Sequence, residues 1–319
     1  MQEKTGLWHQ TPPAIFPPIL GLFGLGLVWR RASEVFAIPS AIGEALLGAV
    51  SLLFLFAVLA YFGKFVRRPS ALVDDLRIMP GRAGISAGSM SAMLFAAVLV
   101  PYSNCLGQGA LFVGMAAHLI VAAIVVFVLW RAPYPQRRMT PVWHLTFVGI
   151  IVAPQAGIML GMHTISELIV VVSLILAATI WLGNLVGMAD TAVPPPLRPT
   201  LVIHLAPVSL LGMTAMLVGY PTVGMVFGWL ALALALFMLI RVKYLTAAGF
   251  SPFWGAFAFP MAAFAGMMML MAQTSGGIFR ILAGLALVGA SIAIPIIAYR
   301  IMKMWSSGIL AMKSNASKV

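Results

Sequence analysis

Charge is what this sequence has least of. Asp, Glu, Lys and Arg make up 8% of its 319 residues, where a soluble domain carries about 25%. Such a chain cannot cover a water-facing surface, so its solvent is largely lipid. Acids are scarcest, 7 against 19 Lys and Arg. Glu3, Glu34, Asp74, Asp75, Glu167 and Asp190 fall in loops or tails, and Glu44 sits close to the start of an apolar run. No run carries an aspartate pair, which argues against an intramembrane aspartyl protease and against a carboxylate-lined cation path. Cys105 is the one cysteine, so an internal disulfide is excluded and thiol or metal chemistry is not expected. No HExxH, Walker or dinucleotide fingerprint is present in a fitting context. The sequence therefore points to no metal, no cofactor and no enzyme. Period-two alternation is missing as well, which leaves helices rather than a barrel.

What is present is apolar length. Hydrophobic residues reach 62% and the mean hydropathy is +1.06. A span needs about 20 mostly apolar residues. Ten candidates lie at about 14–30, 40–63, 85–103, 108–130, 142–161, 166–188, 200–219, 221–241, 253–274 and 277–301. The fold class expected is an all-α polytopic membrane protein, with ten transmembrane helices as five helical hairpins. It forms a single domain over 1–319, with short tails of about 1–13 and 302–319. The first run is longer than the roughly 7–15 residues of a signal peptide core, and Trp29-Arg30-Arg31 follows it.

The net charge of +12 does not mark a nucleic-acid binder, because of where the charges fall. Lys64, Arg67, Arg68, Arg77, Arg82, Arg131, Arg137, Arg138, Arg198, Arg241 and Lys243 lie in alternate connections, with Lys4, Arg300, Lys303, Lys313 and Lys318 in the tails. Only Arg30, Arg31 and Arg280 are assigned to the other side. That asymmetry puts both termini in the cytoplasm. The expected location is the cytoplasmic (inner) membrane, in contact with membrane lipid.

Prolines separate the spans into two kinds. Pro17 and Pro18, Pro154, Pro207 and Pro260 interrupt the first, fifth, seventh and ninth, and the last three recur at an interval of 53 residues. Gly84 and Gly88 mark the third. A proline frees the carbonyl four residues back, which hydrocarbon does not tolerate unless protein or a watery cavity receives it. Kinked odd-numbered helices are thus expected in an inner ring around a central pore, with even-numbered helices outside. Their interiors are read as free of Asp, Glu, Lys and Arg, a path that disfavours cations least expensively and can pass anions. His144 and His204 are polar residues in spans five and seven. They serve as interhelical hydrogen-bonding groups or as a proton relay.

Phe259 stands immediately before Pro260. Ala256, Ala263 and Gly266 share its helix face and are all small, whereas Phe253, Phe257, Phe264 and Met268 lie opposite. A lone ring on such a face either plugs a conduit or packs into a neighbouring helix.

Three stretches carry a resemblance: IFPPILGLFGLGLVW at 15–29, LRPTLVIHLAPVSLLGMTA at 197–215 and FWGAFAFPMAAFA at 253–265. In these the chain resembles the tellurite-resistance/dicarboxylate transporter family, which includes the bacterial TehA proteins and the plant slow-type guard-cell anion channels. The resemblance implies five hairpins around one pore per subunit, a homotrimer, and an occluding phenylalanine at Phe259. It also implies pore prolines at Pro18, Pro207 and Pro260. Span five departs, with Thr146 where relatives often carry a proline and Pro154 later; span three lacks a central proline. The candidate pore-lining set is Pro18, Gly21, Gly88, Pro154, Pro207, Ala256, Pro260, Ala263 and Gly266. The expected partners are small anions: halide, nitrate, dicarboxylate or another oxyanion. A proton-coupled carrier of dicarboxylate, sulfite or tellurite and a non-transporting scaffold or receptor stay open as alternatives.

Overall fold

The computed structural model describes residues 8–190 and 192–318; Glu3, Lys4 and the first part of the N-terminal tail lie outside them. Among the described residues all regular secondary structure is helical. In order they form α1 (Phe16–Phe36), α2 (Ala41–Arg67), α3 (Ser70–Arg77), α4 (Met79–Leu99), α5 (Asn104–Arg131), α6 (Pro154–Gly157), α7 (His163–Asp190), α8 (Leu205–Leu217), α9 (Pro221–Ile240), α10 (Val242–Leu245), α11 (Gly255–Ser275), α12 (Gly277–Ser306) and α13 (Ile309–Lys313). Nine helices among these residues are long and apolar enough to cross a membrane. A tenth apolar segment, His144–Gly157, is shorter. It runs through a π turn at His144–Val148 and a 3-10 turn at Gly149–Val152 before the single turn of α6.

Burial divides the segments into odd-numbered inner and even-numbered outer ones, although the outer helix α12 also contains a proline, Pro295. In their most apolar windows, Pro13–Phe36, Met79–Leu99, Pro195–Leu217 and Pro252–Ser275 are 72% to 83% buried. In the other five long helices the share is 17% to 33%. The buried segments close a ring: α1 packs on α4 and α11, α11 on α8, α8 on the Gly149–Val152 turn, and that irregular segment on α4. Each carries the following outer helix on its back: α2 on α1, α5 on α4, α9 on α8 and α12 on α11, with α7 against the irregular segment. Large apolar side chains such as Leu52, Val113, Ile175, Leu239 and Leu285 project from the outer helices into the surroundings.

In lipid no hydrophobic drive pulls helices together, so close contacts between small residues do more of the work. The α1–α11 seam is built this way. A methyl added at Gly21 would collide with Ala258, and one at Gly24 would come within 2.8 Å of the Ala262 Cβ. Pro260 lies inside α11 and cannot donate to the carbonyl of Ala256. The other inner prolines start helical turns instead of breaking them: Pro17 and Pro18 open α1, Pro154 opens α6 and Pro207 is the third residue of α8. The fifth segment is the most broken, and Thr146 stabilises it by pairing its hydroxyl with Ser86 of α4 at 2.8 Å.

The two ends of the described residues lie together. Gln10 donates to the Ala316 carbonyl at 3.1 Å, and the Ser317 backbone N–H donates to Asp75 at 2.8 Å. Asp75 belongs to α3, a helix inside what reads in sequence as a basic loop. It forms a fully buried ion pair with Lys64 of α2 at 2.7 Å, and it also accepts from Tyr61 at 2.9 Å.

Several assignments of charged residues need correction: Glu34 lies in α1, Asp74 and Asp75 in α3 and Glu167 in α7 rather than in loops. Arg30 and Arg31 are not loop residues: α1 continues past them to Phe36. Arg82 lies in the first turn of α4, where it is buried and donates to the Arg77 carbonyl at 3.1 Å. The inner helices therefore do contain arginine, and α1 also carries an acid, Glu34, in the wall of a cavity.

Candidate functional site: an axial path through the inner ring

Three cavities lie inside the ring, and all five inner segments contribute to each. The first, nearest the chain ends, holds about 40 Å³ and is bounded by Pro17, Ala83, Leu145, Ile203 and Ala256 among others. The second, also about 40 Å³, is bounded by Gly24, Leu94, Gln155, Met213 and Phe259. The third holds about 290 Å³ at the far end, where Glu34, Ala97, Met159, Leu217 and Gln273 face it. The second and third share Leu27, Arg31 and Gln155 in their walls. The first and second share no residue. The separation falls in the turn of α11 between Ala256, in the wall of the first cavity, and Phe259, in the wall of the second. Phe259 is 4% exposed, so its ring faces the interior of the ring of helices and not the lipid.

The three cavities follow one another along the inner ring and are walled mainly by apolar side chains. The voltage-dependent anion channel family, SLAC1, matches residues 10–302. The chain belongs to the SLAC1 family. It is accordingly a multi-pass membrane protein of a family of anion channels and transporters. No curated protein compared with the sequence matches it.

Against the SLAC1 assignment, the sequence-predicted residues fall in different places. Ala256 bounds the first cavity, Phe259, Ala263 and Gly266 the second, and Pro154 the third. Pro207 and Pro260 are buried. Pro18 packs on Gly255, Gly21 on Ala258 and Gly88 on the ring of Phe16, so these three make helix-to-helix contacts. It is the neighbouring Pro17 that borders the first cavity. Gly88 also borders an apolar flank crevice of about 540 Å³ together with residues of α2 and α5.

His144 and His204 come together across the ring wall, Nε2 to Nδ1 at 3.1 Å. One ring must donate and the other accept. His144 also packs on Trp181 of the outer helix α7, ring centres 5.6 Å apart. The pair thus points sideways. His118 of α5 is a third buried histidine, paired through Nδ1 with the Ser89 hydroxyl at 2.8 Å.

Sequence reasoning missed the polar groups on the axis itself. Arg31 and Gln155 border both the second and the third cavity. Arg30, beside them, is held in a two-point ion pair with Glu44 at 2.7 and 2.8 Å and donates to the Ala97 carbonyl at 3.1 Å. An available signal was helix phase: Gly24, Leu27 and Arg31 follow the three-and-four spacing of one α1 face.

Proposed function

We propose that the chain conducts small anions along this axis, with the Phe259 ring as the occluding element. It works in the cytoplasmic membrane with both termini in the cytoplasm, as a homotrimer in which each subunit has its own path. The observation that carries this reading is the position of Phe259. It sits where two cavities, each walled by all five inner segments, fail to join. A closed-to-open ratio of 99:1 corresponds to about 2.7 kcal/mol, since about 1.4 kcal/mol is tenfold. One aromatic ring packed across a narrow path is sufficient for a barrier of that size.

The test is anion-substitution electrophysiology on the wild type and Phe259→Ala in oocytes or liposomes. The variant should raise anion current tenfold or more, with a reversal potential that follows the anion gradient. Unchanged current from normally expressed protein would remove the gate. Absence of anion flux from both proteins would favour the scaffold or receptor reading.

One contact favours a second reading, a proton-coupled carrier of dicarboxylate, sulfite or tellurite: the hydrogen bond between His144 and His204. Its direction, across the wall toward Trp181, supports a structural role instead. Flux that persists without a pH gradient after both histidines are replaced would dispose of the carrier.

A further inference from the structure

We propose that Arg31 and Gln155 form a binding site for a small inorganic monoanion, of halide or nitrate size, on the far side of Phe259 from the chain ends. This rests on the reading of the axis as the conducting path, and it names both a resting place on that path and the class of ion that rests there.

Arg31 has no contact ion pair among the described residues: Glu34, one turn further along α1, attracts it through space but makes no salt bridge with it. Arg30 is neutralised by Glu44 through two short contacts. Glu34, the carboxylate in the wall of the third cavity, is engaged by Gln273 at 2.9 Å. Among the described residues no carboxylate is in ion-pair contact with Arg31. The side-chain acceptor its guanidinium meets is the Met213 sulfur at 3.0 Å, a weak acceptor for a group with five donors. A cation held among apolar side chains requires a counter-charge. The second donor converges on the same space. Gln155 Nε2 is buried and finds no acceptor among the described residues, although its side chain borders the same two cavities as Arg31. An anion lodged between them would satisfy both groups at once.

Within the narrower of the two cavities, size selects the class. The cavity that Arg31 shares with Phe259 holds about 40 Å³, far below the roughly 150 Å³ that admits a benzene ring. A halide or nitrate fits that space, and a four-carbon dicarboxylate is excluded from it while the Phe259 ring is in place. The anion would reach it from the third cavity, through the shared wall formed by Leu27, Arg31 and Gln155.

The test uses nitrate and bromide as probes on full-length protein, purified in detergent, with gluconate holding the ionic strength constant. In the wild type each probe should raise the melting temperature saturably. Arg31→Gln should abolish that rise or move its midpoint at least tenfold higher. Arg31→Lys should restore part of it, and Gln155→Leu should weaken it. Arg280→Gln removes the same charge at the same end from a side chain stacked on Phe36, and should leave the midpoint unchanged. In a Phe259→Ala background the half-saturating anion concentration for current should rise tenfold or more on adding Arg31→Gln. Equal nitrate midpoints in wild type and Arg31→Gln overturn the site. Should Arg31→Gln fail to fold, unchanged midpoints in both Arg31→Lys and Gln155→Leu overturn it equally. The two readings fail separately. If Phe259→Ala conducts and Arg31 proves irrelevant, the site falls and conduction stands. If Phe259→Ala passes nothing while nitrate still stabilises only proteins that keep Arg31, the site stands and conduction falls.

Discussion

The Phe259 ring lies with its edge against Gly24: its Cδ2 is 3.3 Å from where a Cβ on Gly24 would stand. The Ala262 Cβ is 2.8 Å from the same point. Glycine at 24 is therefore part of the seat of the ring, and a single methyl there forces ring or helix to move. Overpacking of this kind costs about 1–3 kcal/mol. Gly24→Ala should lower the unfolding temperature in detergent, and should do so less in a Phe259→Ala background, where the ring no longer resists. Residues in contact show coupling of about 0.5–3 kcal/mol. Additive effects across the four proteins would mean that the ring is not seated on Gly24.

How much of this could be read beforehand differs by feature. The apolar runs and the alternation of basic connections are long, redundant signals, and one misplaced residue does not disturb them. The division into buried and exposed segments matches the prolines of the odd-numbered runs, but the freed-carbonyl argument holds for Pro260 alone among them, and Pro295 sits inside the exposed outer helix α12. Single positions were less legible, because one residue rotates a helix face by about 100°, as 3.6 residues make a turn. Pro17 and Pro18 both pack on Gly255, and that rotation lets Pro17 alone of the two border the first cavity. Arg31 was lost for another reason. Basic residues that follow an apolar run read as loop charge, and only the continuation of α1 to Phe36 turns Arg31 inward. The pairing of His144 with His204 joins residues 60 apart, which no local pattern encodes.

The Lys64–Asp75 pair ties α2 to α3, and Asp75 also holds Ser317 near the C-terminal end. Both side chains are 0% exposed. Removing one member strands the other, which costs about 3–5 kcal/mol, whereas replacing both by apolar groups is often neutral. Asp75→Asn and Lys64→Met should each destabilise strongly, while Lys64→Met combined with Asp75→Leu should recover much of the loss. Thermal melts of the purified variants decide this. A double variant as unstable as the sum of the two single ones would show that Asp75 acts mainly through Tyr61 and Ser317.

His144 Nδ1 is buried with no partner among the described residues, so its Nε2 contact with His204 is the polar bond it has there. His204→Leu would leave both ring nitrogens unsatisfied, at a cost of about 1–3 kcal/mol. His204→Gln keeps a hydrogen-bonding group in reach and should cost less. Neither change should create or abolish dependence of anion flux on a pH gradient. Measuring flux in liposomes with and without an imposed gradient, alongside stability, separates a structural pair from a relay.

Glu44 offsets the charge of Arg30 beside the third cavity. It takes both contacts from Arg30 and a third hydrogen bond, from Tyr102, at 2.7 Å. The bond to Glu44 holds the Tyr102 hydroxyl above the usual phenol range, so it stays a donor. Glu44→Gln removes the negative charge and leaves the Arg30 guanidinium at the wall of the 290 Å³ cavity uncompensated. In a conducting Phe259→Ala background this should raise anion conductance when salt is low. The gain should vanish as salt rises, because the screening length falls from about 30 Å at 0.01 M to about 3 Å at 1 M. Tyr102→Phe, which removes a hydrogen bond but no charge, should leave conductance unchanged at every salt concentration. A Glu44→Gln gain that persists at 1 M would have to come from altered packing of α1 on α2, since a surface potential is screened there.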